Sequence, residues 1–224
     1  WSGTITCIEC GRTTRKSYDQ GYCFVCSRDL PENAMCSVRP ELCVHEKGNE
    51  ADREFWKSYC NIDHFIYLSL TSGVKVGITR HTNIPNRWID QGAVKGLIIA
   101  RVPERVLSGK IEVVLAKHFA DKTNWRKMLQ NEAEPIDWDA ERNKAIDHLP
   151  NELKPYVLLD NKEPLDIGFP VNRYPEKVKS LNLIKEQNYT GVLKGIKGQY
   201  LIFEDDTVFN MRSNEGLVIN LKVE

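Results

Sequence analysis

All seven cysteines of this 224-residue chain precede His64, and the remaining residues contain none. Four of them form two C-x-x-C knuckles, Cys7-Ile8-Glu9-Cys10 and Cys23-Phe24-Val25-Cys26, separated by the polar stretch "GRTTRKSYDQGY". Each knuckle presents two thiolates from one turn, and two knuckles offer four to a single tetrahedral ion. An odd cysteine count and the absence of a secretion signal argue against a disulfide framework, so a structural Zn²⁺ on Cys7, Cys10, Cys23 and Cys26 is expected. Cys36, Cys43 and Cys60 remain, with His45 and His64 nearby. They read either as a second three-cysteine, one-histidine zinc site or as buried free thiols. His64 is preferred over His45 as the fourth ligand because it stands at the mouth of the first long apolar segment.

This composition boundary divides the chain, and the expected class is α+β in three segments: a zinc-ribbon-like module over 1–62, a small mixed α/β domain over 63–150, and a small β-barrel-like domain over 151–224. In the middle segment, "FIYLSLTSGVKVGIT" reads as a hairpin turning at Thr71-Ser72-Gly73. A short helix near Asn86 to Gln91, a strand from Leu97 to Val102 and a helix from Pro103 or Glu104 to Phe119 follow, with further helical pieces at Trp125 to Gln130 and Trp138 to Ile146. After Pro155 the stretches "YVLLD", "KVKSLNL", "YTGVLKGI", "GQYLIF", "TVFNM" and "GLVINL" read as short strands, a number and length that suit a partly open barrel.

Lysine and arginine total 31 against 31 aspartates and glutamates, so the formal charge is zero and no general coating of nucleic acid by charge is implied. Local charge is uneven, with a basic excess between Val171 and Tyr200 that includes Arg173, Lys177, Lys179, Lys185, Lys194 and Lys197. In "GVLKGIKGQYLIFEDDTVFNMR", cations and aromatics interleave as they do on faces that stack bases, although Tyr200 and Phe203 equally suit a core with solvated lysines around it. No window holds the roughly 20 apolar residues that a membrane helix needs, and the start lacks a basic-then-apolar signal, so a cytoplasmic location without membrane association is expected.

Within the hairpin, Lys75, Gly77 and Thr79 share one side of the second strand, and that side faces either water or a cleft where a cation and close backbone approach are useful. Tyr67 in the first strand, Lys75-Val76-Gly77-Ile78-Thr79 in the second, Arg87 on the short helix and Glu112 on the long one occur in an order that resembles the GIY-YIG nuclease superfamily. The likeness is to the subgroup whose second motif reads Lys-Ile-Gly-x-Thr. Phe65 stands where the first-motif glycine would be, and Lys75 where the second-motif tyrosine would be. With "VGITR", "RWIDQGA" and "DKTNWR", the chain is also similar to an uncharacterised bacterial family known only as a domain of unknown function.

The superfamily resemblance implies a metal-dependent phosphodiesterase acting on DNA or RNA. Tyr67 would sit by the attacking water, Arg87 would hold the scissile phosphate, Glu112 would bind one Mg²⁺ or Mn²⁺, and Asn124 would close the site. Lys75 would point into the cleft as a phosphate clamp, or as a base if burial lowers its pKa. The alternative is a zinc-containing module with a degenerate nuclease fold that binds nucleic acid or a protein partner without cleavage.

Overall fold

The structure is a computed structural model that describes residues 1–43, 52–119 and 123–224. It is a mixed α+β protein with seven α-helices and three sheets among the described residues. Two compact units share the chain: residues 1–34 together with 169–224, and residues 35–168. The cysteine-rich segment 1–62 is therefore divided between units.

The unit 35–168 is organised by an antiparallel sheet of β3 (His64–Leu70), β4 (Val74–Arg80), β5 (Lys95–Val102) and β6 (Leu165–Asp166), in the order β4-β3-β5-β6. The expected hairpin forms with continuous register, Phe65 opposite Thr79, Tyr67 opposite Gly77 and Ser69 opposite Lys75. On the other side of β3, Tyr67 pairs with Ile98 across a register shift. Because side chains alternate along a strand, this pairing divides β3 into two sets that face opposite ways. Ile66 and Leu68 join Leu97 and Ile99 in the main core, together with Ile111 and Leu115 of the helix α4 (Arg105–Leu115). Tyr67 instead packs with Trp88 of the short helix α3 (Asn86–Asp90) and with Ala93.

The unit also contains α2 (Arg53–Tyr59), α5 (Trp125–Leu129) and α6 (Trp138–Asp147). The last two begin on side-chain caps, Asn124 accepting from the Lys127 amide and Asp137 from the Ala140 amide. The long helix expected to reach Phe119 ends at Leu115, yet Phe119 remains in the core, so the helical spacing of apolar residues outlasts the helix itself. No helix is long and apolar enough to cross a membrane among the described residues.

In the other unit, β1 (Ile5–Thr6) and β2 (Thr13–Thr14) form a two-stranded hairpin, and α1 (Phe24–Asp29) follows it. The C-terminal part is an open four-stranded sheet, not a closed barrel: β7 (Lys179–Ser180), β8 (Leu193–Lys197), β9 (Tyr200–Phe203) and β10 (Thr207–Asn210), in the order β7-β10-β9-β8. Three of the six expected strands are used differently. "YVLLD" contributes only a bridge from Val157 to Ala100, inside the unit 35–168. "KVKSLNL" stops as a strand after Ser180 because Asn182 caps α7 (Leu183–Glu186). "GLVINL" pairs with the N-terminal segment instead: the Thr6 amide donates to the Gly216 carbonyl (2.8 Å) and the Val218 amide to the Thr4 carbonyl (3.0 Å).

Strand β8 turns Lys197 inward and leaves Leu193 and Ile196 exposed. The ammonium lies near the Phe169 and Tyr174 rings, 5.4 and 5.2 Å from their centroids. Lys194 stays near the surface, paired with Glu204 at 2.8 Å. Of the aromatics in the interleaved stretch, Tyr200 and Phe203 are half-buried, so one of its cations enters the interior in their place.

Two measurements test these packing arguments. Gly109 of α4 lies against the backbone of residues 40 and 41, where a Cβ would come within 2.3 Å of the Glu41 nitrogen. Gly109→Ala, which in an exposed helix would stabilise by roughly 1 kcal/mol, is instead expected to destabilise by about 1–3 kcal/mol in urea unfolding. Burial lowers the Lys197 ammonium to about 8 from an ordinary 10.5. Between those values the unfolded chain binds more protons than the folded one, so this residue makes stability rise with pH from about 8 towards 10.5. The difference between wild type and Lys197→Met in thermal unfolding should therefore change across that interval and be flat below it.

Candidate functional site

The first knuckle is held on the β1–β2 hairpin, where the Cys7 amide donates to the Arg12 carbonyl at 2.9 Å and the Gly11 amide to the Cys7 carbonyl at 2.9 Å. The second knuckle opens α1: Cys23 is its N-cap, and its sulfur accepts from the Cys26 amide at 3.5 Å. The four sulfurs of Cys7, Cys10, Cys23 and Cys26 all lie within 4.8 Å of one another, and Cys10 Sγ is 3.8 Å from Cys23 Sγ. A tetrahedral ion with bonds of about 2.3 Å to sulfur sets its ligands about 3.8 Å apart, so the four thiols fit Zn²⁺.

The electrostatics agree with that fit. Burial by itself raises the Cys7 thiol, but the amides around it, those of Cys10, Cys23 and Glu9, outweigh it and bring Cys7 down to about 6. The Cys26 amide lowers Cys23 in the same way. Cys26 is pushed up to about 12 by burial and by the neighbouring thiols. The backbone thus favours the first thiolates and mutual repulsion opposes the last, and a bound dication removes that opposition.

The remaining cysteines gather elsewhere, in the unit 35–168. Cys43 Sγ donates to Cys60 Sγ at 3.3 Å, and Cys36 reaches the Cys43 thiol. His64 is fully buried at the start of β3, with Nδ1 2.8 Å from the Ile62 carbonyl. Its Nε2 has no hydrogen-bond partner among the described residues. Burial lowers the imidazole to about 4, which keeps it neutral. His45 lies outside the described residues.

The candidate cleft lies on the side of the hairpin that carries Lys75, Gly77 and Thr79. That side does not face water: Gly77 and Thr79 are buried and Lys75 is half-buried. The Tyr67 ring lies across Gly77, where a Cβ would come within 2.5 Å of its hydroxyl. Trp88 meets the ring edge to face, with centroids 5.8 Å apart. The Tyr67 hydroxyl donates to Gln91 Oε1 at 3.1 Å. Burial raises its pKa, the guanidinium of Arg87 beside it works in the opposite direction, and Glu112 adds to the rise. The Tyr67 hydroxyl thus feels the charges of both Arg87 and Glu112, and register places Lys75 on the Tyr67 face.

Asn124 has a local task, capping α5 from an exposed position while its amide donates to Ser72 Oγ at 2.9 Å. Of the histidines near the hairpin and the long helix, His81 is exposed with Nδ1 near the Asp63 carbonyl, and His118 stacks on His148 with centroids 3.6 Å apart. Sequence reasoning passed over Gln91, Ser69 and Trp88. Gln91 follows Arg87 by one helical turn, a spacing that turns both towards Tyr67 and could have pointed to it. Ser69 Oγ and Trp88 Nε1 are buried without a hydrogen-bond partner among the described residues, which no sequence pattern shows.

A protein with a four-thiolate ribbon and a hairpin-centred α+β unit is the class that this geometry defines. Over residues 1–219 the chain matches the family described as Protein of unknown function (DUF2797), and it belongs to that family. No curated protein and no solved structure matches it.

The four-thiol site predicts that Cys10→Ser lowers bound zinc by one equivalent per chain and destabilises the unit that contains it. Elemental analysis of protein purified without chelator, paired with thermal unfolding, checks both effects.

Proposed function

We propose that the protein is a metal-dependent phosphodiesterase of GIY-YIG-like type that acts on DNA or RNA. The observation that carries this reading is that Arg87 of α3 lies beside the Tyr67 hydroxyl and the charge of Glu112 of α4 reaches the same phenol, three residues that the superfamily resemblance names in that order. Lys75 on the same strand face adds a second cation. In this reading Arg87 binds the scissile phosphate and stabilises the charge that builds on it, and Lys75 supplements it. Tyr67, kept neutral by burial and oriented by Gln91, positions the attacking group through its hydroxyl and does not serve as a strong base. Glu112 would hold a Mg²⁺ or Mn²⁺ ion, which supplies Lewis-acid polarisation of the phosphate when bound. The thiolate ribbon is structural in this reading.

Complete burial of the Tyr67 side chain favours a second reading, a module that binds nucleic acid or a protein partner through a remnant cleft without cleaving anything.

Incubation with supercoiled plasmid, single-stranded DNA and structured RNA in Mg²⁺ or Mn²⁺ separates the two. Cleavage should appear, Glu112→Ala should lower it by about a hundredfold or more while binding persists, and Arg87→Ala should damage both. Lys75→Met should lower cleavage as well. Binding without product across all substrates and both metals would leave the second reading in place of the first.

A further inference from the structure

We propose that Cys36, Cys43, Cys60 and His64 hold a second zinc ion inside the unit 35–168, so that each compact unit of the chain carries its own metal. Three observations converge on this. The first is the gathering of thiols from separate elements. Cys43 follows the 3₁₀ turn at Pro40–Leu42, Cys60 caps the end of α2, and their sulfurs are 3.3 Å apart. That separation is far beyond a disulfide bond of about 2.05 Å. Cys36 is close enough to the same Cys43 thiol for the two to influence each other.

The second observation is the state of His64. Its Nδ1 sits 2.8 Å from the Ile62 carbonyl, a contact that requires the proton on Nδ1. Nε2 is then left with a lone pair, buried and without a hydrogen-bond partner among the described residues. A metal-ligating histidine has this arrangement, one ring nitrogen donating to a carbonyl while the other is held ready for the ion. A buried acceptor with no partner otherwise costs free energy that the fold has no reason to bear.

The third observation is Arg105, the residue common to all of these groups. Its amide donates to the Cys60 carbonyl at 2.8 Å, and its guanidinium donates to the Cys36 carbonyl at 3.1 and 3.3 Å and to the Ser37 carbonyl at 3.1 Å. Its charge acts on Cys36, Cys60 and His64 alike. The guanidinium is buried, and its hydrogen bonds among the described residues go to carbonyls and not to a carboxylate. Three thiolates and a neutral imidazole around Zn²⁺ leave one net negative charge, which a buried guanidinium offsets. No three of the four ligand atoms lie within 4.8 Å of one another, as all four of the ribbon do. Metal binding in this proposal closes the ligand atoms in on one another, and the close contact of Gly109 with the backbone of residues 40 and 41 limits how far the 36–43 segment moves towards α4.

The test counts metal in the full chain. Native mass spectrometry and elemental analysis of wild type purified without chelator should give two zinc ions per chain, falling to one in the Cys7→Ser/Cys10→Ser variant and to one in Cys36→Ser. Cobalt loaded into the first variant should retain the visible bands and thiolate charge-transfer absorption of a tetrahedral sulfur-rich site. Wild type with a single zinc, or zinc content unchanged by Cys36→Ser, would overturn the proposal. Should either variant fail to fold, a Co²⁺ titration of demetallated and refolded wild type decides it: two equivalents with thiolate charge transfer support the second site, and saturation at one overturns it.

Discussion

Strand β3 is hydrogen-bonded along both edges and covered on both faces, and the unit 35–168 depends on that double enclosure. A central strand leaves no backbone group to water, so its neighbours must hold register along its length, and each of its faces needs a cover of its own. Alpha4 provides one cover with aliphatic side chains. Alpha3 is too short to do the same and provides a single large ring, Trp88, seated where Gly96 leaves room. The candidate cleft is a result of this asymmetry. Aliphatic packing closes the first face, whereas the second is completed by a tyrosine and a tryptophan with Ala93, Ile84, Ile98 and Ile167 around them.

The other unit solves a different problem. Its strands are two to five residues long, and its buried apolar residues amount to Ile5, Cys7, Leu181, Ile202, Val208 and Phe209. A core of that size gives little stability, and small domains of this kind are commonly held by metal or cross-links. Its interior also contains Lys197, which spends part of the hydrophobic gain on burying a charge. Four thiolates around one ion fit such a unit, because they supply cohesion that the side chains do not.

Much of this was legible in the sequence where a pattern is local. The paired knuckles, the hairpin around Thr71 to Gly73 and the capped helices after Asn124 and Asp137 rest on spacings of a few residues, and each forms. Tyr67, Arg87 and Glu112 could be named together because their order along the chain resembled a known arrangement, although α3 brings Arg87 to the Tyr67 face whereas α4 packs on the opposite one, so Glu112 acts on Tyr67 through its charge. What could not be read was long-range pairing. "GLVINL" has the composition of a strand in its own sheet, and nothing local shows that its partner is the segment around Thr4 and Thr6. Lys197 illustrates the same limit, since alternation in β8 specifies two faces without saying which is inside. The end of α4 at Leu115 and the atoms of Ser69 and Trp88 that have no hydrogen-bond partner among the described residues leave no periodic trace.

The pairing of residues 4–6 with 216–218 also bears on the order in which the protein is made. Domains usually assemble in the order in which they are synthesised. Here the cysteine knuckles are made before the unit 35–168, but the backbone that completes their own unit is made after it. The unit 35–168 is contiguous and is finished first, while the thiols of the knuckles wait through its synthesis in a partly assembled state. Capture of the ion during that interval would protect those thiols from oxidation and hold the hairpin whose β1 edge is still open, so metal supply would govern the yield of folded protein before it governs its stability.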